Sequence, residues 1–510
     1  MNKSRTQNSV LTIVTSGVRQ GLTLMLTFVS RTIFIKILGA EYLGLNGLFT
    51  NILSILALSE LGIGSAISFY LYKPIAEKNI ERIKSLMVFY KKCYRIVGGM
   101  ILVLGSAIIP ILPKVVNFDQ DLPVNLYVIY FLYLLNTASS YLFFAYKQAL
   151  VTANQEQYKI EKISIYFTFI NCIVDILILI IFRDYYIYLI FKFLLVLTKN
   201  FVIAVKIDKE YPYIKEKTYV PITKTEMRLF FKDIGSVSLF RIGSVLFNTT
   251  DNIIISILLG TIVVGYYSNY YMIISQITMI VGIIIKAFSA GIGNVIAKES
   301  KTKQFKIYTQ LDILIFVITT ICATCLFQLL NSFIKLWLGG VNKDYILSQP
   351  VVLFLCINSY FDMTTQIANS FREASGNFET GKSLQLIGGI VNIILSIILG
   401  KLFGLAGIFV ATIIVKGLIT VTPFLMKVSR DVFGFGKWKL LKRYYFNILI
   451  LIISLLSTWI IGYKFHMRGI SDFCIECAIS CIVPMVIIFI VYKNNHEMQE
   501  LIHRFYKKKG

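Results

Sequence analysis

Residues 37–44 read Ile-Leu-Gly-Ala-Glu-Tyr-Leu-Gly, and residues 258–265, which begin 221 positions later, read Leu-Leu-Gly-Thr-Ile-Val-Val-Gly. A second match follows in the same order at an offset of 229, where Gly-Ile-Gly-Ser-Ala-Ile (62–67) corresponds to Gly-Ile-Gly-Asn-Val-Ile (291–296). Self-similarity over such a distance is typical of membrane transporters built from repeated units. The two matches together predict two copies of one unit.

The glycine motifs lie among apolar runs of about 20 residues, the length that crosses a hydrocarbon core of about 30 Å. Fourteen such spans are predicted, at 10–36, 44–71, 93–112, 124–146, 164–183, 186–206, 236–258, 265–293, 309–333, 351–371, 383–400, 405–426, 446–463 and 473–492. Spans 1–6 and 7–12 form the two copies, which share one orientation because six is an even number. The predicted fold is an all-α polytopic membrane protein with two pseudo-symmetric six-helix lobes around a central cavity and two extra C-terminal helices.

The basic residues predict the orientation of these spans. If both termini are cytoplasmic, the inner segments hold 35 Lys and Arg residues and the outer segments hold 8. Cytoplasmic loops carry this excess in polytopic membrane proteins. The predicted organisation is an N-lobe (1–206), a cytoplasmic linker (207–235), a C-lobe (236–426), spans 13 and 14 (427–492) and a basic cytoplasmic tail (493–510).

Composition excludes other classes of protein. Of the 510 residues, 56% are hydrophobic and 15% are charged, which excludes an ordinary soluble enzyme and a disordered chain. The formal net charge of +24 would indicate nucleic-acid binding in a soluble protein. In a membrane protein it indicates cytoplasmic loops that face anionic lipid, so lipid and not nucleic acid is the expected partner.

Polar stripes run along three of the spans at the three- and four-residue spacing of one helical face. They predict the wall of a hydrated central cavity between the two lobes. Its predicted substrate-binding cations are Arg19, Arg31, Arg241 and Lys286. Its predicted lining residues are Gln20, Thr23, Thr27, Asn248 and Ser275. The alternative for the Ser and Thr residues is close helix packing without water or ligand, whereas a charge inside a span costs about 2.5–3.5 kcal/mol and normally faces a cavity or a partner.

Three acids are candidates for gating or ion coupling: Glu60, Asp251 and Asp362. Glu60 is the expected local partner of the cations. Arg31 and Asp251 occupy neighbouring register positions in the two copies, and we expect them to close an outer gate. Lys192, with Lys199 and Arg95, is predicted to reach a span end by snorkelling, while Lys416 and Asp175 lie deeper without a clear stripe.

Signatures of catalysis and of cofactor binding are not found in the sequence. Eight cysteines include two Cys-x-x-Cys pairs inside apolar spans, and none of the three histidines completes a zinc pattern. No Gly-rich phosphate loop and no Ser/His/Asp or Cys/His set is present. The chain is therefore predicted to be no enzyme and to bind no metal or cofactor.

Residues 30–49 (Ser-Arg-Thr-Ile-Phe-Ile-Lys-Ile-Leu-Gly-Ala-Glu-Tyr-Leu-Gly-Leu-Asn-Gly-Leu-Phe), with residues 60–67 and 72–76, resemble the Wzx-type polysaccharide repeat-unit flippases of the multidrug/oligosaccharidyl-lipid/polysaccharide exporter superfamily. The resemblance implies two lobes around a cationic cavity. It implies an undecaprenyl-diphosphate-linked oligosaccharide as substrate, moved across the bacterial cytoplasmic membrane by alternating access for capsular-type polysaccharide. It also implies coupling to a proton or sodium gradient or to the membrane potential, and glycosyltransferases and a polymerase as pathway neighbours.

Three alternatives stay open at this point. A flippase for lipid II or for a teichoic-acid-type precursor shares the fold and the span count. A drug exporter of the same superfamily would have acids, and not Arg and Lys, facing a cavity for cationic drugs. A polysaccharide polymerase or ligase would carry a large external loop with catalytic Arg or His, whereas the widest well-bounded outer gap here, 334–350, is short and apolar.

Overall fold

The regular elements in the described part of the chain are helices. The computed structural model describes residues 5–56, 63–116, 124–143, 145–154, 156–216, 220–339, 345–377, 380–462 and 470–500. The α-helices are α1 (Arg5–Leu38), α2 (Ala40–Leu56), α3 (Ile63–Ala76), α4 (Ile80–Ile108), α5 (Leu112–Val115), α6 (Leu126–Phe143), α7 (Ala145–Ala153), α8 (Tyr158–Phe182), α9 (Tyr185–Glu210), α10 (Lys224–Leu259), α11 (Thr261–Lys298), α12 (Lys301–Leu338), α13 (Gln349–Ala374), α14 (Lys382–Ile414), α15 (Thr422–Asp431), α16 (Trp438–Gly462) and α17 (Ile470–Tyr492). Short 3₁₀ turns cover Ile109–Ile111 and Pro212–Lys215, and a π-helix, Val415–Val421, joins α14 to α15.

The surfaces of the long helices are apolar, as expected of helices that face lipid. On α8, large hydrophobic side chains are exposed at positions 166, 169, 170, 173, 177, 180 and 181, which share one helical face. The opposite face buries Ile160, Phe167, Ile178 and Leu179. A continuous exposed apolar face of this extent marks contact with lipid or with another apolar surface. The all-α membrane fold predicted from the sequence is confirmed.

Ten helices in the described part of the chain are long and apolar enough to cross a membrane, or eleven if α6 and α7, which bend by 50°, form one span. The predicted spans 11 and 12 appear as one apolar stretch, Ser383–Asp431. That stretch has a break at Gly404, where φ is 60° and ψ is −142°. Span 2 crosses residues 57–62, which lie outside the described residues. The count of fourteen therefore stays a prediction.

Two compact units divide the chain, residues 1–265 and residues 266–510. The N-terminal unit contains α1–α10, and the C-terminal unit contains most of α11 and all of α12–α17. These compact units differ in kind from the predicted lobes. A lobe is one copy of the repeat and is defined by helices that correspond to helices of the other copy. The lobe boundaries therefore stay a prediction.

The first glycine match of the sequence repeat has a structural counterpart. Gly39 separates α1 from α2 and Gly260 separates α10 from α11, and their φ angles are 95° and 98°. Non-glycine residues rarely adopt this left-handed conformation, so glycine permits both helix breaks. Both helix breaks therefore use the same backbone conformation, as expected if the two segments are copies of one unit. In the second match, Gly62 lies outside the described residues.

Gly44 and Gly265, the other two glycines of the first match, allow a close backbone approach. A Cβ atom on Gly44 would lie 2.0 Å from the carbonyl oxygen of Thr261, and one on Gly265 would lie 2.2 Å from that of Ala40. No side chain fits at either distance, so the start of α2 packs directly on residues 261–265. This contact helps to fix α2, whose other face contributes to the cavities described below.

Candidate functional site

The polar stripe of α1 faces α8 near the cytoplasmic ends predicted for these helices. Arg19 donates through Nε to the carboxylate of Glu161 on α8, whose side chain is 11% exposed. Thr23, one turn further along α1, donates its hydroxyl to the Arg19 carbonyl oxygen at 2.8 Å. The predicted cation Arg19 is thus neutralised by an acid 142 residues away. Its expected partner, Glu60, lies outside the described residues.

A charged cavity opens beyond this ion pair, inside the N-terminal unit. Its volume is about 280 Å³, and helices α1, α2, α8 and α9 line it. Its polar lining residues are Thr23, Thr27, Ser30, Arg31, Asn46, Thr168, Asn171, Asp175, Tyr188 and Lys192. Three of the residues predicted from the α1 stripe, Thr23, Thr27 and Arg31, therefore line one cavity because they recur at intervals of four residues.

Lys192 on α9 is the second cation of the charged cavity. Its Nζ lies 3.4 Å from Oδ2 of Asp175 on α8 and 2.5 Å from the hydroxyl of Tyr188. It also lies 4.8 Å from the centre of the Tyr188 ring, within the range of a cation–π contact. Among the lining residues that the structure describes, Arg31 and Lys192 are the basic side chains and Asp175 is the acidic one. The described part of the lining therefore carries two basic side chains and one acidic side chain.

A second cavity in the same unit has a volume of about 290 Å³ and is called the neutral cavity, because its described lining residues other than Lys192 are uncharged. Helices α2, α6 and α9 line it, with Asn46, Thr50, Leu53, Ser54, Leu132, Tyr133, Asn136, Thr137, Tyr141, Leu189 and Lys192. Asn46 and Lys192 also line the charged cavity. The two cavities therefore adjoin at one residue of α2 and one of α9.

The C-terminal unit holds one of the predicted gating or coupling acids. Nζ of Lys416 donates to both carboxylate oxygens of Asp362, each at 2.8 Å. Lys416 belongs to the π-helix Val415–Val421, and its side chain is 11% exposed while that of Asp362 is 43% exposed. π-helical turns inside longer helices often coincide with functional positions. The ion pair ties α13 to this turn.

The remaining predicted residues do not come together in one described cavity. In the C-terminal unit, Lys286 is exposed, and Ser275 donates its hydroxyl to the Met272 carbonyl oxygen of its own helix at 3.0 Å. In the N-terminal unit, Gln20 is half-buried on α1 and Asp251 is buried on α10. The side chains of Arg241 and Asn248 lie outside the described residues.

Four charged residues at these sites were not among the site residues predicted from the sequence: Glu161, Asp175, Lys192 and Lys416. Lys192, which was expected to snorkel, instead pairs with Asp175 and contacts Tyr188. Glu161 pairs with Arg19. The sequence carries one usable signal for Lys192, its spacing of four residues from Tyr188 along a helix. The ion pairs across helices have no such signal, because they join separate parts of the chain.

The comparisons with known proteins agree with this architecture. A family model described as polysaccharide biosynthesis protein matches residues 11–290. No curated protein matches the chain in sequence.

Among solved structures, lipid II flippase MurJ in an inward closed conformation has a TM-score of 0.68 at 16% identity, covering 95% of this chain and 99% of that one. An inward-facing multidrug resistance MATE family transporter of the MOP superfamily has a TM-score of 0.59 at 16% identity, covering 81% and 98%. A MOP superfamily transporter from Pyrococcus furiosus has a TM-score of 0.57 at 13% identity, covering 84% and 97%. At these identities the likeness concerns the fold, which is that of MOP superfamily transporters.

Proposed function

The chain belongs to the polysaccharide biosynthesis protein family, and from that premise we propose that it is a flippase for undecaprenyl-diphosphate-linked oligosaccharide repeat units. It moves them from the inner to the outer leaflet of the bacterial cytoplasmic membrane by alternating access, for capsular-type polysaccharide. Both termini lie in the cytoplasm. The observation that supports this proposal is the charged cavity, in which Arg31 and Lys192 face one acid, Asp175.

The chemistry of that cavity suits a diphosphate. A phosphorylated head group that leaves water needs charge compensation, and hydrogen bonds between ionised partners are about twice as strong as neutral ones. The planar guanidinium of Arg31 offers a bidentate contact to phosphate oxygens, and Lys192 offers a mobile point charge. Asp175 holds Lys192 in place and limits the excess charge to one. A cavity with a modest excess of positive charge binds the head group and also releases it.

A flippase for lipid II or for a teichoic-acid-type precursor is the second candidate. One structural neighbour, MurJ, is a lipid II flippase, and the feature that these candidate substrates share is a lipid-linked phosphorylated head group. Export of cationic drugs is disfavoured, because the cavity lining carries more positive than negative charge.

Energy coupling in this proposal comes from the membrane potential, with a proton or sodium gradient as the alternative source. No resident cofactor takes part. Asp251 and Arg31 form the outer gate, and Glu60 and Asp362 are the remaining candidates for gating or coupling. Anionic lipids of the inner leaflet contact the basic loops, and glycosyltransferases and a polymerase act before and after the flippase.

Reconstitution in proteoliposomes tests the proposal. The purified protein is supplied with undecaprenyl-diphosphate-linked oligosaccharide, with lipid II or with a cationic drug, and translocation is followed with a membrane-impermeant reagent that modifies sugars. We expect rapid movement of the oligosaccharide lipid and a loss of movement in Arg31→Gln. Faster movement of lipid II would favour the second candidate. Movement of the drug alone would refute both.

A further inference from the structure

We infer that the neutral cavity binds the sugar residue attached directly to the diphosphate while the charged cavity holds the diphosphate itself. This inference rests on the proposed function and assigns the head group to two compartments within the N-terminal unit. It concerns the cavity lined by α2, α6 and α9.

The positions of the two cavities match the covalent order of such a head group. Asn46 of α2 and Lys192 of α9 line both cavities. A molecule with its diphosphate beside Arg31 and Lys192 would therefore lie next to the neutral cavity, on the side of Asn46 and Lys192. In the lipid-linked substrate, the diphosphate joins the lipid to the first sugar, so the first sugar is the head-group residue next to the diphosphate.

The lining of the neutral cavity has the chemistry that recognises an uncharged polyol. Helix α2 contributes Asn46, Thr50 and Ser54 at intervals of four residues, so they share one face. Helix α6 contributes a second polar face that includes Tyr133 and Asn136. Amides and hydroxyls both donate and accept hydrogen bonds, as sugar hydroxyls do.

Asn136 provides a separate indication that the cavity accepts a ligand. Its side-chain oxygen Oδ1 is buried and has no hydrogen-bond partner in the described part of the chain. A buried acceptor left unpaired costs about 1–3 kcal/mol. If the Asn136 side chain rotates so that Oδ1 enters the cavity, a sugar hydroxyl can donate to it and remove this cost. The neighbouring Thr50 hydroxyl donates to Asn46 Oδ1 at 3.3 Å, a long contact that a ligand hydroxyl could replace.

Size and polarity exclude other classes of ligand. A volume of about 290 Å³ lies just below the range for small-molecule pockets, about 300–1,000 Å³. It therefore suits one sugar residue and not a whole repeat unit. A metal cation would need carboxylates, whereas the one charged side chain among the described lining residues is the cation Lys192.

Two lipids that differ only in the sugar test the assignment. The protein in nanodiscs is titrated with undecaprenyl-diphosphate-linked oligosaccharide and with undecaprenyl diphosphate. For the wild type we expect tighter binding of the glycosylated lipid. In Asn136→Leu we expect a roughly tenfold weaker Kd for the glycosylated lipid, because one amide contact is lost. The Kd for the lipid without sugar should stay within about twofold of wild type.

Thr50→Val provides a second variant that is nearly identical in shape to the wild-type residue, so it keeps the fold if Asn136→Leu lowers the melting temperature. It should lose part of the same preference for the glycosylated lipid. Arg31→Gln should weaken both lipids alike, because it acts on the diphosphate. If both Asn136→Leu and Thr50→Val leave the ratio of the two Kd values at its wild-type value, the sugar compartment is wrong while the flippase proposal survives. If the wild type binds neither lipid, the proposed function is wrong and the compartment with it.

Discussion

Gly44 and Gly265 lie at a contact between two stretches of backbone. The missing Cβ of Gly44 would be 2.0 Å from the Thr261 carbonyl oxygen, and that of Gly265 would be 3.3 Å from the backbone nitrogen of Gly44. The two residues occupy equivalent positions in the sequence repeat, so each copy supplies its glycine to the same contact. This explains why the motif ends in glycine in both copies: a side chain there would push apart α2 and residues 261–265.

Gly44→Ala should therefore destabilise the protein. Overpacking against backbone costs about 1–3 kcal/mol, and the carbonyl of Thr261 cannot rotate away as a side chain could. The measurement is the thermal midpoint in detergent, followed by the fluorescence of the protein during size exclusion. Gly99→Ala in α4 is the matched control, because in the described part of the chain no atom beyond the adjacent turns of its own helix lies within 4 Å of its missing Cβ. That control should be neutral or stabilising by up to about 1 kcal/mol, and equal losses in the two variants would contradict the close contact.

The ion pair between Lys192 and Asp175 allows stability and transport to be separated. Lys192→Met removes the ion-pair partner of Asp175 inside the helix bundle, so the melting temperature should fall. The cost should be below the ~3–5 kcal/mol of fully buried pairs, because the Lys192 side chain is 37% exposed. The double variant Asp175→Asn/Lys192→Met should recover the melting temperature.

Transport by that double variant should not recover, because the phosphate-binding cation is still absent. Translocation of the oligosaccharide lipid in proteoliposomes should stay roughly ten- to a hundredfold below wild type. Recovery of both properties would assign Lys192 a structural role alone.

The sequence predicted the fold well and the candidate site less well, for physical reasons that the charged residues illustrate. Span length and the α1 stripe are local properties: the spans led to the all-α membrane fold, and the stripe includes Thr23, Thr27 and Arg31, which line the charged cavity. The partners Glu161 of Arg19 and Asp362 of Lys416 are 142 and 54 residues distant. Such pairs depend on which helix faces pack together, and one sequence does not determine this.

The ion pair between Asp362 and Lys416 should stabilise the packing of the π-helix against α13. Lys416→Met removes a lysine that donates to both carboxylate oxygens. We expect a loss of about 1.5–3 kcal/mol, the contribution of hydrogen bonds to charged groups. The exchanged pair Asp362→Lys/Lys416→Asp should recover part of that loss in the thermal midpoint. A double variant no more stable than either single variant would show that the two side chains are not energetically coupled.

A pH dependence is expected where α10 begins, in the predicted cytoplasmic segment. The Thr223 backbone N–H donates to Glu226 Oε2 at 3.0 Å, and Arg82 of α4 also donates to this carboxylate. The backbone hydrogen bond, followed by the Arg82 contact, lowers the pKa of Glu226 below its ordinary value. A lowered folded-state pKa stabilises the protein above the ordinary pKa of about 4.3. That stability is lost as the pH falls through the lowered folded-state pKa.

Glu226→Gln should therefore lower the melting temperature at pH 7, and the difference from wild type should vanish under acidic conditions. The loss should stay below about 1 kcal/mol, because both side chains of the pair are about one third exposed. Glu77→Gln is a suitable control, since its partner Lys73 is 3.9 Å away and both side chains are largely exposed. A difference between Glu226→Gln and wild type that persists at low pH would mean that packing, and not charge, is responsible.

The membrane potential should drive translocation if the cargo carries two negative charges on its diphosphate. Each charge that crosses the full field contributes about 2.3 kcal/mol per 100 mV, so two contribute about 4.6 kcal/mol. With the interior negative, this favours export. Proteoliposomes with a potassium diffusion potential, without proton or sodium gradients, should therefore accumulate the oligosaccharide lipid in the outer leaflet as the potential rises. The charges of Arg31, Lys192 and Asp175 stay in the protein and are not exported with the cargo. The dependence of translocation on the membrane potential should therefore persist in Asp175→Asn. Translocation that stops when a sodium or proton gradient is collapsed at constant potential would instead require an ion-coupled cycle.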